Sequence, residues 1–210
     1  MFTIRNLKFK GILDIPELTL DRPVTCILGP SGSGKSTLLK MLNRLVEPDS
    51  GTIEYNGQLI TEMPPAELRR RVSMLGQTPV LYGGTLAEEL SLPSRFGGYP
   101  PPTEAEMNEA LRDAGLDKPL AMHCESYSGG EKQRACFARI LLTRAETYLL
   151  DEPTAALDKA TELRVMSRMG EICREKGRQM IVVTHSPEVS ALFSDSIVRI
   201  VAGRTNGYEA

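Results

Sequence analysis

Apolar positions recur with a period near two through the first sixty residues. FTIRNLKF (2–9) and ILDIPELTL (12–20) predict two half-buried strands, and TIEYNGQLI (52–60) predicts a hairpin turned at Asn56-Gly57. VTCIL (24–28) lacks alternation and reads as a strand buried on both faces. A Gly-rich stretch follows it, and then KSTLLKMLNRL (35–45). There Leu38, Leu42 and Leu45, with Leu39 and Met41, fall at helical spacing, and the helix is expected to end towards Pro48 and Gly51.

The pattern turns helical between Thr85 and Gly115, with capping boxes at Thr85–Glu88 and Thr103–Glu106 and Gly115 as a C-terminal stop. SLPSRFGGYPPPT (91–103) is expected to break this run as a loop. Beyond residue 128 helices and strands alternate. A helix over about 129–143 precedes TYLLDE, one over about 159–176 closes on Gly177 before QMIVVTH, and a short helix precedes SIVRIV. Apolar strands separated by amphipathic helices predict a parallel sheet covered on both faces, with the N-terminal strands forming an antiparallel piece beside it.

Composition narrows the class. Hydrophobic residues make up 41% and charged residues 25% of 210, ordinary values for a globular chain of one domain. A net charge of −2 carries no nucleic-acid footprint, and no nucleic-acid partner is expected. The first residues resemble strands rather than a signal peptide, and no apolar run approaches the ~20 residues of a membrane span. Cys26, Cys124, Cys136 and Cys173 show no paired spacing and are expected to be small buried hydrophobes.

Gly29 to Ser36 satisfies G-x-x-x-x-G-K-[ST] between a strand and a helix, the setting in which this pattern cradles phosphate. Gly29, Gly32 and Gly34 let the backbone of the loop Gly29-Pro30-Ser31-Gly32-Ser33-Gly34 curl its N–H groups inward. The helix beginning near Lys35 adds the positive end of its dipole. Lys35 is expected to reach the β- and γ-phosphates and Ser36 to ligate Mg²⁺, with Thr37 completing the motif. The chain therefore reads as a nucleoside triphosphate binder.

TYLLDEP (147–153) delivers two adjacent acids at a strand's C-terminal end, where ligands of α/β sheets collect. Neighbours on a strand point opposite ways, so the two are given separate tasks. Asp151 is expected to hold the Mg²⁺ shell, and Glu152 to face the γ-phosphate and activate water. His185 ends QMIVVTH at the same sheet edge and is expected to contact the γ-phosphate or orient the water. Gln77, after RVSMLG, is expected to join the metal–water network. A second cradle-like stretch, SYSGGEKQRACFAR (126–139), places Ser128, Gly129 and Gly130 at a helix start.

In this order the motifs resemble those of the ATP-binding subunits of ABC transporters. Gly29–Thr37 is similar to Walker A, Gln77 to the Q-loop and Ser128-Gly129-Gly130 to the signature. Thr147–Glu152 is similar to Walker B, Ala156-Leu157-Asp158 to the D-loop and His185 to the H-loop. The resemblance implies an α/β fold: a P-loop NTPase (RecA-like) core with an antiparallel β subdomain and an inserted helical subdomain. It implies one domain over 1–210, with the core and β subdomain over about 1–76 and 147–210 and the helical part over 77–146.

It further implies an Mg²⁺-dependent ATPase in which a second copy of the chain pairs head-to-tail. Each ATP then lies between one copy's Walker A and the other's signature. Asp158 joins the catalytic set on this implication. An integral membrane permease is the expected partner, which would hold the chain at the cytoplasmic face of the cell membrane. Phe9 is the nearest candidate to stack on adenine, since no Tyr lies upstream of the loop.

Two signature positions depart from the family pattern, with Tyr127 where Leu is usual and Glu131 where Gln is usual. Glu131 is expected either to oppose the nucleotide or to serve as a first-turn helix acid. In QTPVLYGGTLAEEL (77–90), Leu81 and Tyr82 are open between packing inside and facing the permease. The Pro79-to-Thr85 pattern resembles a small bacterial group assigned to metal-ion (iron) export.

The rivals are a small-molecule P-loop kinase and soluble ATPases of this type that work without a permease. A kinase has no use for SGGEKQR. A DNA-repair ATPase needs a long heptad insertion, for which the interval from Lys35 to Ser128 leaves no room. A translation-factor ATPase normally carries two such domains.

Overall fold

The computed structural model describes residues 1–209, with side chains described through Thr205. The chain opens with β1 (Phe2–Phe9), β2 (Leu13–Leu20) and β3 (Val24–Leu28), followed by α1 (Lys35–Leu42), β4 (Ser50–Tyr55) and β5 (Gln58–Leu59). Next come α2 (Pro65–Arg71), β6 (Val72–Leu75), α3 (Leu86–Gly97), α4 (Glu104–Asp113) and α5 (Gly129–Leu141). It closes with β7 (Thr147–Asp151), α6 (Lys159–Glu175), β8 (Gln179–Val183), α7 (Pro187–Phe193), β9 (Ser196–Val201) and β10 (Arg204–Glu209).

Two sheets result. A four-stranded antiparallel sheet runs β2-β1-β4-β5, with Asn56 and Gly57 both at positive φ in the expected tight turn. A six-stranded sheet runs β10-β9-β3-β8-β7-β6, parallel from β9 to β6 and closed by β10 antiparallel to β9. β3, β7 and β8 are buried along their whole lengths, as their unbroken apolar runs require.

Alternate residues of these strands serve different cores. Cys26, Tyr148, Leu150, Met180 and Val182 pack with α3, α4, α5 and α6. Ile27, Leu149, Ile181 and Val183 pack with α1 and the antiparallel sheet. All four cysteines are free and buried, and burial pushes the Cys26 and Cys173 thiols up to about 12.

Two local expectations are corrected, and two elements are added. The helix after the Gly-rich loop stops at Leu42, because Arg44 turns to φ 55 and its guanidinium bonds the carbonyls of Ile60 and Met63. Leu45 therefore lies off the helix and is 54% exposed. The stretch from Ser91 to Gly97 is helical rather than a loop, with Pro93 inside α3. Ser91 and Ser94 hydroxyls bond the carbonyls of Ala87 and Ser91, the face bearing Leu86 and Leu90 is buried, and the run ends only at Gly98 with φ 72. The helix α2 and strand β10 carry weak patterns and were not expected from the sequence. For α2 the legible cue was Pro65 at its first turn with arginines in its last.

One buried ion pair joins α3 to α5. Glu89, 1% exposed, accepts from Arg139 at 2.7 Å and also from the Tyr82 N–H. Arg139→Met leaves that carboxylate buried without its counter-charge, and urea unfolding is expected to lose about 3–5 kcal/mol. Adding Glu89→Leu should recover most of the loss. A single-variant cost under about 1 kcal/mol would show the pair to be incidental.

Candidate functional site

Parallel register sets the site. Ile27 pairs with Val183, Val183 with Asp151 and Leu75 with Leu150, so β3, β8, β7 and β6 end level with one another. The segments leaving them carry Gly29, His185, Glu152 and Gln77. All of these lie along one edge of the sheet, where open α/β folds bind ligands.

The loop from Gly29 to Gly34 curls over the N-terminus of α1. Gly29 has φ 154, and a Cβ there would fall 2.0 Å from the Ile200 carbonyl oxygen, so only glycine fits. Lys35 is 4% exposed, and its ammonium donates to the Gly29 and Pro30 carbonyls, each at 2.8 Å. Burial lowers its pKa, while Glu152 and Asp151 oppose that shift. Ser33 is also buried, and its hydroxyl has no hydrogen-bond partner. A concave loop holding one cation and one unpartnered hydroxyl suits a polyphosphate.

Ser36 Oγ donates to Asp151 Oδ1 at 2.7 Å, so the α1 hydroxyl and the first Walker-B-like acid meet. Both are hard oxygen donors, which fits Mg²⁺ bound chiefly by phosphate and water. Glu152 lies next to this pair. His185 Nε2 is 2.7 Å from Glu152 Oε1, and Gln77 Nε2 donates to Glu152 Oε2 at 3.0 Å. Three separate segments thus converge on two adjacent carboxylates.

Gln133 was missed in the sequence. It is 3% exposed in α5, donates to the Glu152 carbonyl at 3.4 Å and accepts from the Ala156 N–H at 3.1 Å. Within SGGEKQR nothing but the buried position of this helix face distinguishes it from its polar neighbours.

Other expected residues stand apart from this cluster. Phe9 is 9% exposed and packed in the core under the antiparallel sheet, which corrects its assignment as a base-stacking platform. The residues that abut the loop at Gly34 are Ile12 and Leu13, and Ile12 is 40% exposed. Asp158 is the N-cap of α6, accepting from Thr161 N–H at 3.0 Å and Thr161 Oγ1 at 2.7 Å, and these bonds lower its pKa. The structure brings Asp158 no bond to Glu152 or His185.

Ser128 caps α5, and Ser128 to Glu131 form a reciprocal capping box. Tyr127 is buried in the helical core, where its ring takes the place of an apolar residue, and burial pushes its phenol up to about 12. Leu81 packs against the same core while Tyr82 is 73% exposed, which separates the two residues left open above.

A family model described as ABC transporter matches residues 18–155. A phosphonates import ATP-binding protein of Synechococcus sp. is 34% identical, over 94% of this chain and 77% of its own length. A solved bacterial Atm1-family ABC exporter with ATP bound superposes with a TM-score of 0.87 at 28% identity, covering all of this chain and 38% of that one. The dimeric, post-hydrolysis structure of an ATP-binding cassette with ADP and Pi gives a TM-score of 0.86 at 27% identity, covering 100% of this chain and 98% of that one.

Lys35→Ala removes the one cation inside the loop, and Mg-ATP affinity measured by calorimetry is expected to fall at least about tenfold. Unimpaired binding by a folded variant would refute the cradle.

Proposed function

Since the chain belongs to the ABC transporter family and is an Mg²⁺-dependent ATPase, we propose that two copies close head-to-tail around ATP and drive a membrane permease. The observation that carries this reading is Gly129. Its φ is not positive, and a Cβ there would meet no atom within 4 Å. Among the described residues nothing obliges position 129, the first of α5, to be glycine. A bare backbone there leaves room for a surface or ligand from outside the chain to approach closely.

The proposed roles follow from the geometry. The loop Gly29–Thr37 holds the phosphates, with Lys35 turning from its own carbonyls to the β- and γ-phosphates. Ser36 and Asp151, with Gln77 beside them, hold Mg²⁺, which when bound offsets charge on the β- and γ-oxygens. Glu152 accepts a proton from the attacking water, and His185 and Gln77 fix its carboxylate from either side. Water adds to the γ-phosphorus as the bond to the bridging oxygen breaks, giving ADP and phosphate.

Across the dimer, the Gly129 and Gly130 N–H groups and the Ser128 hydroxyl meet the γ-phosphate from the opposite copy. ATP then has contacts in the closed dimer that ADP lacks, so hydrolysis releases the closure. Asp158 is assigned to this dimer seam through its cap on α6.

No described helix is long and apolar enough to cross a membrane. We assign the crossing to a permease and its docking to a groove of about 720 Å³ between α2, α3 and α5. Leu45, Leu92 and Phe96 are among the apolar residues lining it. Lys40, Arg69, Arg70, Arg139 and Arg144 ring it, and no acidic residue lines it. Such a groove suits a short amphipathic helix flanked by carboxylates. That partner would hold the chain at the cytoplasmic face. Metal-ion export rests on the Pro79-to-Thr85 pattern alone, and the phosphonate importer among the relatives does not favour it.

Glu152→Gln is expected to bind ATP, accumulate as a dimer in size-exclusion chromatography and lose about 10²–10⁴-fold in turnover. Ordinary turnover would remove Glu152 from the water-activating role. Paired Lys40→Glu and Arg70→Glu should abolish co-purification of the permease while ATP binding persists. Undiminished co-purification would place the docking surface elsewhere.

A further inference from the structure

Glu131 would be expected to repel a triphosphate brought against the start of α5. The structure shows how its charge is contained. Oε1 pairs with Lys118 Nζ at 2.8 Å, and Oε2 accepts the Ser128 N–H at 2.8 Å. Lys118 comes from the segment that joins α4 to α5, and its ammonium also lies 5.7 Å from the centre of the Tyr127 ring. The Lys118 and Glu131 side chains are 27% and 23% exposed, so solvent screens the pair only partly.

The capping bonds leave a specific set of donors. Ser128 N–H is taken by Glu131, Glu131 N–H bonds Ser128 Oγ, and Lys132 N–H bonds the Ser128 carbonyl. The N–H groups of Gly129 and Gly130, in the first turn, have no acceptor within the helix, and Ser128 Oγ keeps its own proton to donate.

We propose that Lys118 is a positioning residue for ATP-driven closure: it turns Glu131 aside and neutralises it, so that Ser128, Gly129 and Gly130 meet the partner copy's γ-phosphate without an opposing charge. The proposal rests on the composite ATP site and adds to it a residue that belongs to neither cradle. Lys118 and Ser128 together hold the Glu131 carboxyl down at about 2. The departure at Glu131 and the lysine at 118 then form one unit: a carboxylate that locks the cap, and a cation that keeps it from facing the nucleotide.

The test uses the full chain carrying Glu152→Gln, so that bound ATP persists, and reads the monomer–dimer equilibrium with Mg-ATP by sedimentation. Lys118→Gln is expected to weaken dimerisation roughly five- to tenfold, less at high salt, with Mg-ATP binding to the dilute monomer unchanged. Adding Glu131→Gln should restore the parent's dimerisation, and Lys118→Arg should retain it. The proposal is overturned if Lys118→Gln has no effect, or if its effect persists in the Glu131→Gln background, which would mark a packing role. Gly129→Leu tests the underlying reading separately. A Cβ there meets no atom of the chain within 4 Å, so dimerisation unaffected by it would sink the composite site and Lys118's role with it.

Discussion

Everything at this site depends on the register of four parallel strands. In β3, β7 and β8 successive residues alternate between a helical core and a core shared with α1 and the antiparallel sheet. A slip of one residue would exchange the two sets, putting Tyr148 and Leu150 where Leu149 belongs. Both faces are dry, so both reject the slip. The strands consequently end level, and Glu152, His185 and Gln77, just past the ends of β7, β8 and β6, come within hydrogen-bonding reach.

Glu152 shows what that constraint makes possible. It leaves β7 at φ 48, a left-handed conformation that a non-glycine residue adopts at a cost of about 1–2 kcal/mol. Its N–H is held by the Val183 carbonyl and its own carbonyl by Gln133. This turn aims the carboxylate at Gln77 and His185 while Asp151 stays on Ser36. Gln133 also grips Ala156, so α5, which begins at Gly129, is tied to the backbone of Glu152. A displacement of that helix therefore bears directly on Glu152.

The groove over α2, α3 and α5 depends on the two breaks that local pattern misplaced. Leu45 faces it because α1 ends early at Arg44, and Phe96 faces it because α3 continues through Pro93. Helical spacing alone puts Leu45 on a buried face, and proline alone ends the helix. Tertiary bonds from Arg44 to distant carbonyls, and burial of the α3 face, outweigh those local preferences.

Much of the candidate site was legible in the chain because it resides in contiguous runs. A Gly-rich loop between an apolar strand and a helix, and an apolar strand running into Asp151-Glu152, depend on neighbouring residues and on local backbone geometry. The alternation of β1 and β2, and the capping boxes at Thr85 and Thr103, are local in the same sense. Phe9 was misjudged because proximity to the loop in sequence says nothing of burial. Gln133 and Lys118 were invisible because each acts on a residue from another element, and no spacing encodes such a pair. The sequence by itself determined the Gly-rich loop, the helix start at Ser128, the adjacent acids and the order of these segments along the chain. Only the tertiary structure decided that Glu152 is held between Gln77 and His185 and that Glu131 is held by Lys118, because those contacts exist only once the strands are in register and the helices are packed.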